Sequence, residues 1–245
     1  MRDTPTRTWR TSLRVGRVAK PTVSKLVPKV PLPSVPGSSR RISASTKRTL
    51  IDLARVLFTE NGYASTSLDA IVARAEVTKG ALYHHFSGKQ ALFEAVFEDL
   101  EQEAVRIVDQ AMKDVKDPWD RAIAGLRSFL GAVQDPSYRR LVIQEGPAVL
   151  GYERYREHEE RSALAVVQDI IESTVGALGQ DLTDDFKATW SRIFMGALSA
   201  AGEDVSLSAD PEAAASRVEV LIGLIFSGLQ NLAPRPHVED EAREA

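Results

Sequence analysis

Residues 77–86, VTKGALYHHF, hold a hydroxyl, an ammonium, a phenol and two imidazoles within ten positions. Three kinds of chemistry are open to such a set: metal ligation by the histidines, proton transfer by an imidazole, or hydrogen bonding to a negatively charged partner. Metal ligation fits poorly. Adjacent histidines on a helix diverge by about 100°, whereas a helical ligand pair recurs at i and i+4, and no third histidine or cysteine lies within ligand spacing. Catalysis lacks its partners too, since no paired acid, activated cysteine or Ser-His-Asp order accompanies these residues. No catalytic residue, no metal and no cofactor is therefore expected.

A helical wheel sorts the set. Counted from Lys79, Tyr83 falls at about 40°, Gly80 at about 100° and His84 at about 140°, so these four share a face. Leu82 and Phe86, at about 300° and 340°, look the other way together with Val77, while Ala81 and His85 take about 200° and 240°. The outward face combines donors suited to phosphate oxygens and base edges around a glycine that would let backbone approach closely. A solvated helix face with an ordinary tyrosine is the other reading of the same pattern.

Positioning that face takes two further helices. Leu50, Leu53, Ala54, Leu57 and Phe58 recur at i, i+3, i+4, i+7 and i+8, one apolar stripe that Ser45 or Thr46 caps and Asn61-Gly62 ends. Thr66-Ser67 opens a short second helix with Leu68, Ile71 and Val72 as its apolar face, ending near Ala75. Thr78 caps the third, which runs to about Phe86. Two short helices across a tight turn, braced by a longer one, form a helix-turn-helix. Glu76 stands where such turns often carry glycine; a left-handed conformation there costs a non-glycine residue roughly 1–2 kcal/mol.

The stretch GYASTSLDAIVARAEVTKGALYHHFSGKQALFEAVF, residues 62–97, resembles the DNA-binding segment of tetracycline-repressor (TetR) family transcriptional regulators. Thr-Ser opening the second helix, Val-Thr-Lys-Gly opening the third, Leu-Tyr-His-His-Phe closing it and Lys-x-x-Leu opening the fourth carry the resemblance. It implies an all-α protein, with an N-terminal three-helix helix-turn-helix domain followed by a larger helical ligand-binding and dimerisation domain. It further implies a homodimeric repressor, released from a palindromic double-stranded DNA operator by a small hydrophobic effector. Residue by residue, Thr78, Lys79, Gly80 and Ala81 match positions near bases or adjoining phosphates, Tyr83 and His84 match phosphate contacts, and Thr66 and Lys89 match contacts opening the second and fourth helices. Glu76 departs from the family's usual glycine. Ser87-x-x-Gln90 also reads as a capping box whose free N–H groups could hold a phosphate.

The fourth helix runs from Gly88 to about Val115. Asp117-Pro118 and Asp135-Pro136 punctuate the next stretch, with Ile123, Leu126, Phe129, Leu130 and Val133 on the helix between them. Gly146-Pro147 and Gly151 break the pattern before a helix from about Tyr152 to Val175, and EGPAVLGYERYREHEE resembles a stretch recurring in some TetR-family regulatory domains. Trp119, Phe129, Tyr138, Tyr152, Tyr155, Trp190 and Phe194 are scattered through this region, and aromatics at helical spacing are mostly core. The resemblance implies an effector cavity there, for which Trp119, Phe129, Tyr152, Tyr155, Trp190 and Phe194 are the candidates. His158, among Glu157, Glu159 and Glu160, reads as a solvated helix face rather than a ligand anchor. Two last helices carry stripes through Trp190, Ile193 and Ala197 and through Leu221, Ile222, Ile225 and Leu229, a candidate dimer interface, or else part of the subunit's own core.

Composition sets the frame. Of 245 residues, 43% are hydrophobic and 27% charged, which fits a globular protein, and no apolar run reaches the ~20 residues of a spanning helix, so no membrane association is expected. The absence of cysteine fits a reducing compartment, and a cytoplasmic location is expected. A net charge of -3 hides an asymmetry: residues 1–48 hold twelve Lys/Arg against one acid, Asp3. Residues 1–43 read as a disordered basic Pro/Ser/Thr-rich arm, either a phosphate-binding tail or an extension without a role; its Arg/Ser/Thr-rich character also superficially matches a transit peptide. The expected divisions are this arm, a DNA-binding domain over 44–90, an effector-binding and dimerisation domain over 91–233, and an acidic tail over 234–245. A helix-turn-helix shell kept without operator recognition is the competing reading; an enzyme finds no support.

Overall fold

The computed structural model describes residues 38–178 and 183–231, and all elements among them are helical. Residues 1–37 of the expected arm and the whole of the expected acidic tail lie outside the described residues. Helix α1, Ser38–Asn61, begins ahead of the expected Ser45 or Thr46 cap, so the expected arm boundary at residue 43 falls inside a helix. Both expected caps are interior helical positions, and Thr49 Oγ1 donates to the Ser45 carbonyl at 3.0 Å.

The next two helices start where the sequence places their caps. The Ser67 side chain accepts from Ala70 N–H ahead of α2, Leu68–Arg74, and Thr78 accepts from Ala81 N–H ahead of α3, Lys79–His85. Glu76 between them stands at φ 53°, the left-handed conformation for which the turn prefers glycine. Leu50, Ala54, Phe58, Ile71 and Leu82 are fully buried together, and this shared core fixes the angle at which α3 leaves the domain.

Helix α4, Lys89–Met112, joins the halves of the molecule. Its first turns bury Leu92, Phe93, Val96 and Phe97 against α1–α3, and its later turns bury Ala104, Val108 and Met112 among the more C-terminal helices. The expected Ser87–Gln90 capping box is not formed: Gly88 is the cap, without a side-chain bond, and Gln90 Nε2 donates to the Val149 carbonyl at 2.7 Å. Helix α5, Pro118–Gln134, is capped by Asp117, which accepts from Trp119 and Asp120 N–H. Asp135 then accepts from Ser137 and Tyr138 N–H at the start of a π-helical stretch, Tyr138–Gln144, an element that no period in the sequence marks. Short α6, Gly146–Leu150, and long α7, Tyr152–Ala177, lie on either side of Gly151. Thr183 and Asp210 cap the last two helices, α8, Asp184–Leu207, and α9, Pro211–Gln230.

A polar tie crosses between the halves. Arg140 donates to the Thr59 and Glu60 carbonyls at 2.8 and 3.3 Å and pairs with Glu145 at 3.1 Å, while Glu145 accepts the Tyr63 N–H at 2.8 Å. Gly62 is needed twice over here. Its φ is 82°, and a Cβ would stand 2.7 Å from the Arg140 guanidinium.

Candidate functional site

Helix α3 presents its polar residues outward. Thr78, Lys79, Gly80, Tyr83 and His84 are exposed, Ala81 and His85 half-buried, and Leu82 and Phe86 buried, the division that 100° per residue imposes. Lys79 Nζ lies 2.8 Å from Asp69 Oδ1 at the start of α2, and that hydrogen bond raises the ammonium's pKa. Both side chains are solvated, so the pair is worth little and a phosphate can take the carboxylate's place at small cost. Burial pushes the His85 imidazole down, helped by the neighbouring His84 and Lys47. A Cβ on Gly80 would meet nothing nearer than Thr78 Oγ1 at 3.8 Å, so the fold itself does not require glycine there.

Thr66 and Lys89 are placed differently from the rest of the candidate set. Thr66 is buried, and its hydroxyl donates to the Leu57 and Gly62 carbonyls at 3.1 and 2.8 Å. Lys89 Nζ donates to the Tyr63 and Thr66 carbonyls at 2.7 and 2.9 Å and stands 4.2 Å from the centre of the Tyr63 ring. Both hold the loop that sets α2 in place.

A second site lies deeper, among α4, α5, α7, α8 and the π-helical stretch: a cavity of about 100 Å³. Of the six aromatic candidates, Phe129 and Phe194 line it. Trp119 instead packs edge-on against Phe226, and Trp190 against Phe186, each at 5.9 Å between centroids. Tyr152 is exposed at the start of α7, and Tyr155 lies behind the wall, donating its hydroxyl to Glu159 at 3.1 Å.

Sequence reasoning misses the polar wall: Glu101, Glu159, Ser162 and Ser199, with Tyr138, which it places only among the scattered aromatics. Glu101 is 5% exposed, and burial pushes its carboxyl up to about 8; the nearby Ser162 hydroxyl and the charge of Arg161 oppose the rise, while Glu159 and Glu98 add to it. A clue is present in the sequence, because Glu101 follows Phe97 by four and precedes Ala104 by three on the apolar stripe of α4. Burial likewise drives the Tyr138 hydroxyl above the usual phenol range.

His158 departs from the expected solvated face. It is 4% exposed, because the helix turn that frees Glu157 and Glu160 points it at α4, where Nε2 meets Glu94 at 2.8 Å, while Nδ1 meets Arg161 of its own helix at 2.9 Å. Burial works to raise the Glu94 carboxyl, but hydrogen bonds from His158 and Arg154 outweigh it and hold it below the usual range. Glu94, Glu98 and His158 bring ligand atoms within 4.8 Å of one another, yet Arg154 and Arg161 donate to the same carboxylates, so the cluster is an ion-pair network binding α7 to α4.

On α8 and α9 an apolar face is left open. Ile193, Leu221 and Ile225 are 67%, 61% and 57% exposed, with Val220 and Leu224 beside them and Ala197 exposed on α8. Added Cβ atoms at Gly196, Gly223 and Gly228 would meet nothing within 4 Å. Trp190, Ile222 and Leu229 of the expected interface turn the other way and pack half-buried on the subunit's own core.

Among known proteins, the description "Bacterial regulatory proteins, tetR family" matches residues 50–96, and "Tetracyclin repressor-like, C-terminal domain" matches residues 119–229. The chain is 30% identical over 140 residues to the transposon Tn10 TetC protein of Escherichia coli, covering 56% of this chain and 67% of that protein. It is 41% identical over 51 residues to the HTH-type transcriptional regulator UidR of Escherichia coli strain K12, 21% of this chain and 26% of that one. A crystal structure of a TetR-family transcriptional regulator from Pectobacterium atrosepticum superposes with a TM-score of 0.68 at 27% identity, covering 78% of this chain and 96% of that one. RolR in complex with resorcinol shares the fold with a TM-score of 0.57 at 21% identity, over 80% and 97% of the two chains.

Proposed function

This chain belongs to the TetR family of DNA-binding transcriptional regulators, which are not enzymes, and from that premise we propose that it acts as a homodimeric repressor released from a palindromic operator by a small, mostly apolar effector. The observation that carries this reading is the outward face of α3, where Thr78, Lys79, Gly80, Tyr83 and His84 are exposed over a buried Leu82 and Phe86. Lys79 and its neighbours at the helix start meet base edges or adjoining phosphates, with Ala81 at the margin of the face, and Tyr83 and His84 meet the backbone. Thr66 and Lys89 act one step back, by fixing the loop ahead of α2. Two such faces serve one operator when a dimer holds them about 34–36 Å apart, one turn of the duplex. The open apolar face of α8 and α9 suits that pairing, since isolated subunits rarely leave so many large aliphatic side chains in water.

Release follows from the place of the cavity. Helix α4 carries Glu101, Ala104, Val105 and Val108 on the cavity wall and Phe93 and Phe97 in the core that seats α3. An effector that binds one setting of α4 better than another shifts the population toward it, and operator affinity falls when that setting spoils the spacing. At about 100 Å³ the cavity is below the ~300–1,000 Å³ of drug-sized sites, which favours a compact molecule. That RolR, of the same fold, holds resorcinol is in keeping with this. Among the described residues no helix is long and apolar enough to cross a membrane, and we place the regulator beside DNA in the cytoplasm.

Binding to the promoter DNA flanking the gene tests the reading. Lys79→Ala weakens binding by about 1–3 kcal/mol with altered sequence preference, and Tyr83→Phe weakens it on every sequence. Equal affinity of the wild type and the Lys79→Ala, Tyr83→Phe double variant, measured by fluorescence anisotropy, sinks operator recognition through α3 and favours a helix-turn-helix shell retained without it.

A further inference from the structure

The cavity has a charge character that the family alone does not dictate. Among the described residues lining it, the charged ones are two carboxylic acids, Glu101 and Glu159, and none is lysine, arginine or histidine. The rest of the wall is apolar apart from Tyr138, Ser162 and Ser199, and it includes the rings of Phe129 and Phe194. Glu159 is held as an acceptor, taking hydrogen bonds on one oxygen from Tyr155 and Ser199 at 3.1 and 2.9 Å, with Arg156 outside the wall 3.4 Å from the other. Glu101 lies opposite on α4, within reach of Ser162, with Glu98 and Arg161 beyond it.

The same wall borders a second hollow. Glu101, Val105 and Ser162 also line an outer cleft of about 460 Å³, whose rim is formed by Glu98, Gln102, Arg106, His158 and Arg161. These three residues are common to the cleft and the cavity, and one of them is the buried acid.

We propose that the effector is an organic cation, a protonated amine on a compact apolar body, with the ammonium set between Glu101 and Glu159 and the body against Phe129 and Phe194. This rests on the cavity being the effector site proposed above. Carboxylates and aromatic faces both attract a cation, and more strongly where water is excluded. An anion would meet two acids with no basic partner on the wall, and a neutral molecule would gain nothing from the attraction that draws a cation to them. The proton balance is set by Glu101, whose carboxyl is pushed up to about 8 and so is mostly protonated at neutral pH. An arriving ammonium favours the carboxylate, so the acid's O–H proton leaves to solvent while the amine keeps its own.

Isothermal titration of the full chain with benzylamine, benzyl alcohol and benzoate at neutral pH tests this. Benzylamine should bind at least about tenfold more tightly than the alcohol, benzoate more weakly than either, and the benzylamine enthalpy should differ between phosphate and Tris buffers as one proton is released. Glu101→Gln, close in shape to the neutral acid, should abolish the buffer dependence and bring benzylamine to the level of the alcohol; Glu159→Gln should also remove the preference. Benzyl alcohol or benzoate binding as well as benzylamine overturns the cation assignment and leaves the effector cavity standing, as does a benzylamine affinity that neither variant changes. Binding of none of the three overturns the assignment and the cavity's role together.

Discussion

Gly80 sits on an exposed helix face where a Cβ would meet nothing closer than 3.8 Å. Glycine in a helix costs about 1 kcal/mol relative to alanine, so Gly80→Ala should raise stability by up to that amount while weakening operator binding, because the added methyl fills space the DNA needs. Denaturant unfolding and anisotropy measured on one preparation separate the two effects; a variant that gains stability and loses no affinity would place the duplex elsewhere. Glu101 allows a pH test. Its carboxyl moves from 4.5 to about 8 on folding, so the folded chain keeps a proton that the unfolded chain gives up. The stability from that proton is fully present below about 4.5 and is lost as pH rises through about 8. Glu101→Gln should therefore flatten the decline in urea midpoint between about pH 4.5 and about pH 8, and an unchanged slope would mean that the acid is ionised in the fold. Of these residues the helical wheel assigns Lys79, Gly80, Tyr83 and His84 to their face, whereas Thr66 and Lys89 match by position alone, and position does not say that a hydroxyl is buried against Leu57 and Gly62.

At the level of helices, caps and stripes were readable because they depend on neighbours within a few residues: Ser67, Thr78 and Asp117 each open the helix expected of them. The failures have separate causes. Ser87 and Gln90 have the spacing of a capping box, but the Val149 carbonyl of α6, distant in sequence, claims the glutamine, and Ser45 has the type of a cap in a helix that begins earlier, at Ser38. The α8 and α9 stripes are a milder case, since periodicity marked both apolar faces without dividing Ile222 and Leu229, which turn inward, from Leu221 and Ile225, which do not. Leu221→Glu with Ile225→Glu should leave helix content unchanged, because neither side chain is buried in the subunit, and sedimentation should show monomers with operator affinity reduced at least tenfold; a persisting dimer would move the interface elsewhere.

For the molecule as a whole, the Arg140–Glu145 tie carries the contact between the α5–α6 region and the end of α1. Arg140→Ala leaves the Thr59 carbonyl and Glu145 short of a partner, and stability should fall by about 1–3 kcal/mol with faster amide exchange around Gly62. Unchanged exchange there would show that apolar packing, including Leu141 and Leu150, and not the tie, holds the end of α1. The sequence by itself determined the all-helical class, the helix-turn-helix and the outward chemistry of α3, because helical period, caps and turn residues are local properties of the chain. Tertiary structure alone decided which aromatics wall the cavity, that Glu101 and His158 are buried, and which aliphatic residues of α8 and α9 are left in water. Those depend on how α4, α5, α7, α8 and α9 rotate against one another, and packing between segments many residues apart sets that rotation.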